Sequence, residues 1–190
     1  MKVTWKEFRR KFINKFFPTQ EKLYFASRTL TWAGYEYFVC RAVIPDIKEI
    51  ITIEKQVYAG KTPWSEQVFR RELSQRQHNL YLVVRYEDEM VAFAGIDLMR
   101  APGRAHITNI AVLPSFQGRK IGNMLMELLL KEAYDLDCQT VTLEVATKNQ
   151  VAQNLYRSLG FRVVKLQKNY YQVERQDAYL MEKELKRQGK

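Results

Sequence analysis

Cysteine and histidine are both scarce in this chain. Its two cysteines, Cys40 and Cys138, lie far apart and form no C-x-x-C pair. That excludes a disulfide-stapled scaffold and a thiolate metal site. The two histidines, His78 and His106, have no partners at metal-ligand spacing, so no metal is expected. No apolar run reaches the roughly 20 residues needed to cross a bilayer. The N-terminus is basic but lacks the continuous apolar segment of a secretion signal. These absences imply a reducing cytoplasm as the compartment. Internal repeats and low-complexity segments are missing as well.

Apolar residues, by contrast, are plentiful. With 190 residues, 46% of them hydrophobic and 13% aromatic, the chain can bury a proper core, and one domain plus an extension is expected. The net charge of +10 is unevenly placed, because residues 1–30 hold eight Lys/Arg against two acids. Within residues 1–17, Trp5, Phe8, Phe12 and Phe16 fall about four apart and would share one helical face, with Lys6, Arg9, Arg10, Lys11 and Lys15 around the rest. Pro18 stops that helix, and residues 19–34 read as a polar connector ending in Gly34. The division expected is a basic extension and connector over 1–34, then a domain over 35–186. Such an arm invites a ribosome, RNA or membrane surface, and the plainer use of its apolar face is packing on the domain.

From Tyr35 onward the pattern is that of an α/β domain. Tyr35 to Ala42 is β-prone. Asp46, after Pro45, is a good N-cap for a helix reaching about Tyr58, and Ser65 caps a second, with Glu66 in its first turn. Leu80–Tyr86 and Met90–Leu98 flank Glu87-Asp88-Glu89 as a hairpin. Ile107–Leu113 is the next strand. Helix 121–136 carries Ile121, Met124, Leu125, Leu128 and Leu129 on one stripe. Thr140–Val145, Phe161–Leu166 and Ala178–Leu185 complete the strands. Strand, helix and strand used twice in the second half call for parallel neighbours through crossovers. A mixed sheet covered by helices follows.

The chemistry concentrates between Ile107 and Phe161. A strand there feeds the turn Gln117-Gly118-Arg119-Lys120-Ile121-Gly122 into a helix. The first N–H groups of a helix lack intrahelical partners and sit at the positive end of its dipole, which makes an anion site. The turn is neither a Walker A loop nor a dinucleotide fingerprint. Spacing alone makes it just a turn. Arg119 and Lys120, however, are cations at the helix end where the dipole does not reward them unless an anion visits. Glu144 stands on a strand, sharing a face with Thr140 and Thr142. It is either a solvated strand residue or a rigidly held general base. Tyr156 belongs to the stripe Ala152, Leu155, Tyr156, Leu159; it is either core or an acid at a cleft. Asn149 reads as an N-cap and Gly160 as a helix stop.

The order Ile110-Ala111-Val112, Gln117-Gly118-x-x-x-Gly122, Leu143-Glu144-Val145, Asn149-x-x-Ala152-x-x-Leu155-Tyr156-x-x-x-Gly160-Phe161 resembles the GNAT superfamily of acetyl-CoA-dependent N-acetyltransferases. Pro63-Trp64-Ser65-Glu66 and Lys168-Asn169-Tyr170-Tyr171 make it most similar to the RimI type, the N-terminal acetyltransferases known for ribosomal proteins. The resemblance covers about residues 36–185. It implies a GNAT-like acyl-CoA N-acyltransferase fold with acetyl-CoA as co-substrate. Ile110, Ala111 and Val112 would face the pantetheine arm. Gln117, Gly118, Arg119, Lys120, Ile121, Gly122 and Asn123 would bind the pyrophosphate, and Asn149 would touch the cofactor. Glu144 would be the base and Tyr156 the acid. Many relatives have glycine where this chain has Lys120. The acceptor implied is a protein N-terminus, such as that of a ribosomal protein; a small amine or a non-catalytic acyl-CoA-binding role are the rival readings. No sequence-specific nucleic acid is implied, and oligomeric state is left open.

Overall fold

The computed structural model describes residues 23–171 and 175–186. The amphipathic segment expected over 1–17 lies outside them. The elements run β1 (Arg28–Trp32), β2 (Tyr35–Arg41), α1 (Ile47–Val57), α2 (Glu66–Ser74), β3 (Asn79–Tyr86), β4 (Glu89–Ala101), β5 (Arg104–Val112), α3 (Ile121–Asp135), β6 (Thr140–Ala146), α4 (Gln150–Ser158), β7 (Arg162–Tyr171) and β8 (Gln176–Glu184). The strands form one eight-stranded sheet in the order β1-β2-β3-β4-β5-β6-β8-β7. All neighbours are antiparallel except β5 and β6, which are parallel. This is the mixed, helix-covered sheet that the sequence pattern calls for.

β3 and β4 are central, and Leu80–Val84 and Met90–Ile96 are buried almost without interruption, the signature of strands covered on both faces. The helices supply the cover through Ile47, Ile50 and Ile53 of α1, Phe69 and Leu73 of α2, and Ile121, Met124, Leu125 and Leu129 of α3. Gly95 marks a bulge between β4 and β5. A Cβ at 95 would stand 2.4 Å from the Tyr81 ring and 2.6 Å from Thr108 Oγ1. Glycine there lets the Tyr81 and Thr108 hydroxyls meet at 2.9 Å.

Three expectations need correction. Residues 19–34 are not only a connector, because β1 lies within them and joins the sheet. Its alternation is short: Leu30 and Trp32 are half-buried while Thr29 and Thr31 are exposed. Ala33 and Gly34, with φ of 50° and 85°, make the two-residue turn into β2. The second correction concerns β6 and β7, which are not neighbours, because β8 inserts between them. Asp46 does occupy the N-cap position of α1, but its carboxylate accepts from the Val43 N–H at 2.8 Å and pairs with Arg85 at 3.1 Å, closing the preceding 3-10 turn (Ile44–Asp46) instead. Ser65 and Asn149 cap as expected, accepting from Val68 N–H at 3.4 Å and Ala152 N–H at 3.0 Å. β7 is the far edge strand. Val163, Val164, Leu166 and Tyr170 on it are each more than two-fifths exposed.

Candidate active site

β5 and β6 share only three rungs, Arg104 with Thr140, Ala105 with Val141 and His106 with Thr142. Beyond them the strands part. β5 continues to Val112 on the β4 ladder, while β6 continues to Ala146 on the β8 ladder. A wedge opens between them. Ile110, Ala111 and Val112 form one bank, and Glu144 stands where the other begins. Main-chain groups facing such a gap resemble a free sheet edge, which accepts an extended chain as an added strand.

At the apex, His106 Nε2 lies 3.0 Å from Glu144 Oε2, with the two side chains 8% and 12% exposed. An ionised carboxylate only accepts, so Nε2 carries a proton. Nδ1 of the same ring lies 2.8 Å from Thr142 Oγ1. Burial alone pushes the Glu144 carboxyl up. His106 at hydrogen-bond distance, the Tyr170 phenol and the charge of Arg100 together outweigh it, and hold the carboxyl below its ordinary range. The sequence reading missed His106 as a site residue. The sequence carried no signal for it: His106 reaches Glu144 through the parallel pairing of β5 with β6, which sets it opposite Thr142.

The wedge leads to the start of α3. Gly118 has φ +80° and Lys120 φ 58°. Among the described residues, the N–H groups of Lys120, Ile121, Gly122 and Asn123 find no acceptor in the chain, and the first helical bond runs from Met124 N–H to Lys120 O at 3.1 Å. Four converging donors at a helix N-terminus form an anion nest. Gln117 turns away from it, donating through Nε2 to Val112 O at 3.0 Å. Lysine in the left-handed region costs about 1–2 kcal/mol, where glycine would cost nothing. The Arg119 guanidinium lies 4.5 Å from the Phe116 ring centre and 4.9 Å from that of Tyr35, so its flat face is taken by aromatics. Gly122 lets α3 approach α4, where a Cβ would sit 3.2 Å from Leu155.

Tyr156 on α4 is 5% exposed and meets the Phe161 ring edge-on at 6.0 Å. Burial, then the neighbouring Tyr58 and Tyr171, raises its phenol well above the usual range. Among the described residues, no hydrogen bond joins Glu144 and Tyr156. Tyr170, which faces Glu144, packs edge-on against Tyr171 at 5.1 Å, and Tyr171 lies within electrostatic reach of Tyr156. Asn149 caps α4, and no cofactor role is needed to explain it. A further carboxylate, Glu54 of α1, is 2% exposed with Oε2 unpartnered among the described residues. Burial raises it to about 7, with the Trp64 backbone pulling weakly down.

Among the described residues, no helix is long and apolar enough to cross a membrane. A family model described as Acetyltransferase (GNAT) family matches residues 44–161. The chain is 38% identical over 141 residues to the N-alpha-acetyltransferase RimI of Mycobacterium tuberculosis, covering 73% of this chain and 87% of that protein. It is 37% identical over 138 residues to the [ribosomal protein bS18]-alanine N-acetyltransferase of Salmonella typhimurium, covering 72% of this chain and 89% of the other. The crystal structure of the ribosomal-protein-S18-alanine N-acetyltransferase from Escherichia coli superposes with a TM-score of 0.71 at 30% identity, over 81% of this chain and 97% of that one. A split parallel pair beside an anion nest, on a chain this similar to proteins of one kind, means that this protein belongs to the GNAT acetyltransferase family and, within it, to the RimI-type acyltransferases.

Proposed function

We propose that the protein transfers an acetyl group from acetyl-CoA to the N-terminal α-amino group of a protein, with a ribosomal protein as the acceptor. The observation that carries this reading is the wedge between β5 and β6, with a carboxylate at its apex and, at its far end, four N–H donors that find no acceptor among the described residues. The donor set fits the co-substrate: Lys120 to Asn123 would hold a diphosphate, and the inner edge at Ile110 to Val112 would pair with an extended amide-bearing arm. When bound, acetyl-CoA supplies an activated thioester carbonyl. The names of the relatives direct the acceptor reading toward a ribosomal protein N-terminus, and a reducing cytoplasm would house it.

Glu144 takes the proton of the incoming amine, directly or through water. A peptide α-amino group has a pKa of about 7.7–8.0, so roughly a tenth to a fifth is already neutral at pH 7. A weak base suffices for so small a deprotonation, which suits a carboxylate held low by His106. Tyr156, kept protonated by burial, gives its proton toward the departing thiolate. The chain's main contribution is to hold amine and carbonyl in one orientation. The deciding experiment incubates the protein with isotope-labelled acetyl-CoA and either an alanine-initiated ribosomal peptide, the same peptide with a blocked N-terminus, or a polyamine. Mass spectrometry should place the label on the free α-amine alone. Label on the polyamine alone would move the protein to small-amine acetylation, and coenzyme A binding without transfer to any amine would make it a binding module.

The His106 contact predicts a pH effect. Glu144 is lowered because its partners outweigh burial, and His106 is the foremost of them, so removing it lets the carboxyl rise even with Tyr170 and Arg100 in place. The carboxylate must be ionised to accept a proton, and activity is lost as pH falls through its pKa. In His106→Ala the acid limb of the kcat profile should therefore move to higher pH, while turnover at pH 8 changes less. A limb that stays put would show that His106 does not tune the base.

A further inference from the structure

The turn between β1 and β2 reaches the anion nest. Trp32, the last residue of β1, donates its indole N–H to Lys120 O at 3.0 Å. Tyr35, the first of β2, lies under the Arg119 guanidinium at 4.9 Å, and Tyr86 and Phe116 complete the aromatic seat at 6.0 Å and 4.5 Å. That seat is itself packed, with Tyr35, Tyr37 and Tyr86 ring centres 5.7–6.2 Å apart. Two consecutive loop residues are thus gripped from one hairpin, Arg119 by its side chain and Lys120 by its carbonyl. Lys120 is the residue in the left-handed conformation, and its φ and ψ of 58° and 20° aim the N–H groups of α3's first turn. The family match begins at residue 44, so Trp32 and Tyr35 lie outside it.

We propose that the β1–β2 hairpin is a clamp on the diphosphate-binding loop, with Trp32 a positioning residue that holds Lys120 in its strained conformation and thereby sets affinity for coenzyme A. This rests on the reading of Lys120 to Asn123 as the diphosphate nest. The clamp acts through backbone geometry: a carbonyl fixed by the indole fixes the 120–121 peptide plane, which also carries the Ile121 N–H, and the donors stay convergent before a ligand arrives. Pre-organised donors bind more tightly than donors that must be ordered on contact. Glycine at 120 would reach the same angles without strain, so the clamp matters because a lysine stands there.

The test is calorimetric titration of the full-length protein with coenzyme A, alongside steady-state kinetics in acetyl-CoA. Trp32→Phe keeps the ring and removes the donor. It should weaken coenzyme A binding about fivefold, the scale of one net hydrogen bond, and raise KM for acetyl-CoA in parallel with kcat held. The same change should cost less when made in Lys120→Gly protein. Arg119→Lys keeps the charge but loses the flat stacking surface, and it should weaken binding in the same sense. Unchanged coenzyme A affinity in Trp32→Phe, or an equal loss in both backgrounds, overturns the clamp. If the unaltered protein fails to bind coenzyme A, the nest reading falls first and the clamp with it.

Discussion

Glu144→Gln is expected to lower kcat by about 10²–10⁴, the usual loss when a positioned general base is removed. The change is nearly isosteric. The amide oxygen can still accept from His106 Nε2, so the apex of the wedge keeps its packing while losing its proton acceptor. In energy the drop corresponds to about 2.7–5.5 kcal/mol of transition-state stabilisation. Coenzyme A affinity should hold, because the carboxylate stands at the wedge apex and the nest lies beyond Val112, past the other end of β5. Raising the pH should recover part of the loss, since more of the amine is then neutral without help. Steady-state kinetics from pH 6 to 9 checks both points. Near-normal turnover across that range would leave Glu144 with a structural role only.

Glu54→Gln is expected to stabilise the fold above neutral pH. Glu54 is buried at 2% exposure with one carboxylate oxygen unpartnered, and its pKa is pushed up to about 7. For an acid raised in the folded state, the native protein binds the proton more tightly than the unfolded chain does. Stability therefore falls as pH climbs from the ordinary carboxylate range to about 7, and stays reduced above it. The full difference is about 3 kcal/mol. Glutamine fills the same volume with no charge to ionise. At pH 8 the variant should melt roughly 6–12 °C higher, given about 2–4 °C per kcal/mol at this chain length. At pH 4.5 the two should nearly coincide. Parallel melts across pH 4.5–8 decide it, and a constant offset at every pH would mean that the carboxyl is not the titrating group.

Much of this was legible in the residues, because the relevant signals are local. Asn149 and Ser65 announce their helices by capping chemistry, and the stripe from Ile121 to Leu129 announces α3. The turn from Gln117 to Gly122 announces a nest because free N–H groups follow from any helix start. What stayed hidden depends on contacts distant in sequence. His106 reaches Glu144 only because two strands separated by a helix run parallel, and nothing around position 106 states that pairing. β1 escaped because five residues show too little alternation to separate a strand from a connector. The insertion of β8 between β6 and β7 is a choice of topology that hydrophobic periodicity does not encode. Asp46 illustrates a third cause: its carboxylate had two competing partners, and Val43 and Arg85 held it before α1 could.

The outermost strand also bears on edge-to-edge pairing. Among the described residues, β7 has no strand on its outer side, and it shows valines and a leucine to water, the features that template edge-to-edge association. Its ladder with β8 breaks twice, between Val163 and Lys165 and between Gln167 and Tyr171. At the second break Asn169 turns to φ 52° and gives its N–H to the side chain of Asp177 on β8, at 2.8 Å to Oδ1, rather than to a backbone carbonyl. Lys165 and Lys168 add like charges along the strand, while Arg162 pairs with Glu184 of β8. A second molecule approaching this rim would meet an interrupted, cationic margin with no continuous row to copy. The irregularity that places Tyr170 beside the Glu144 carboxylate thus also interrupts the edge that strand pairing would need.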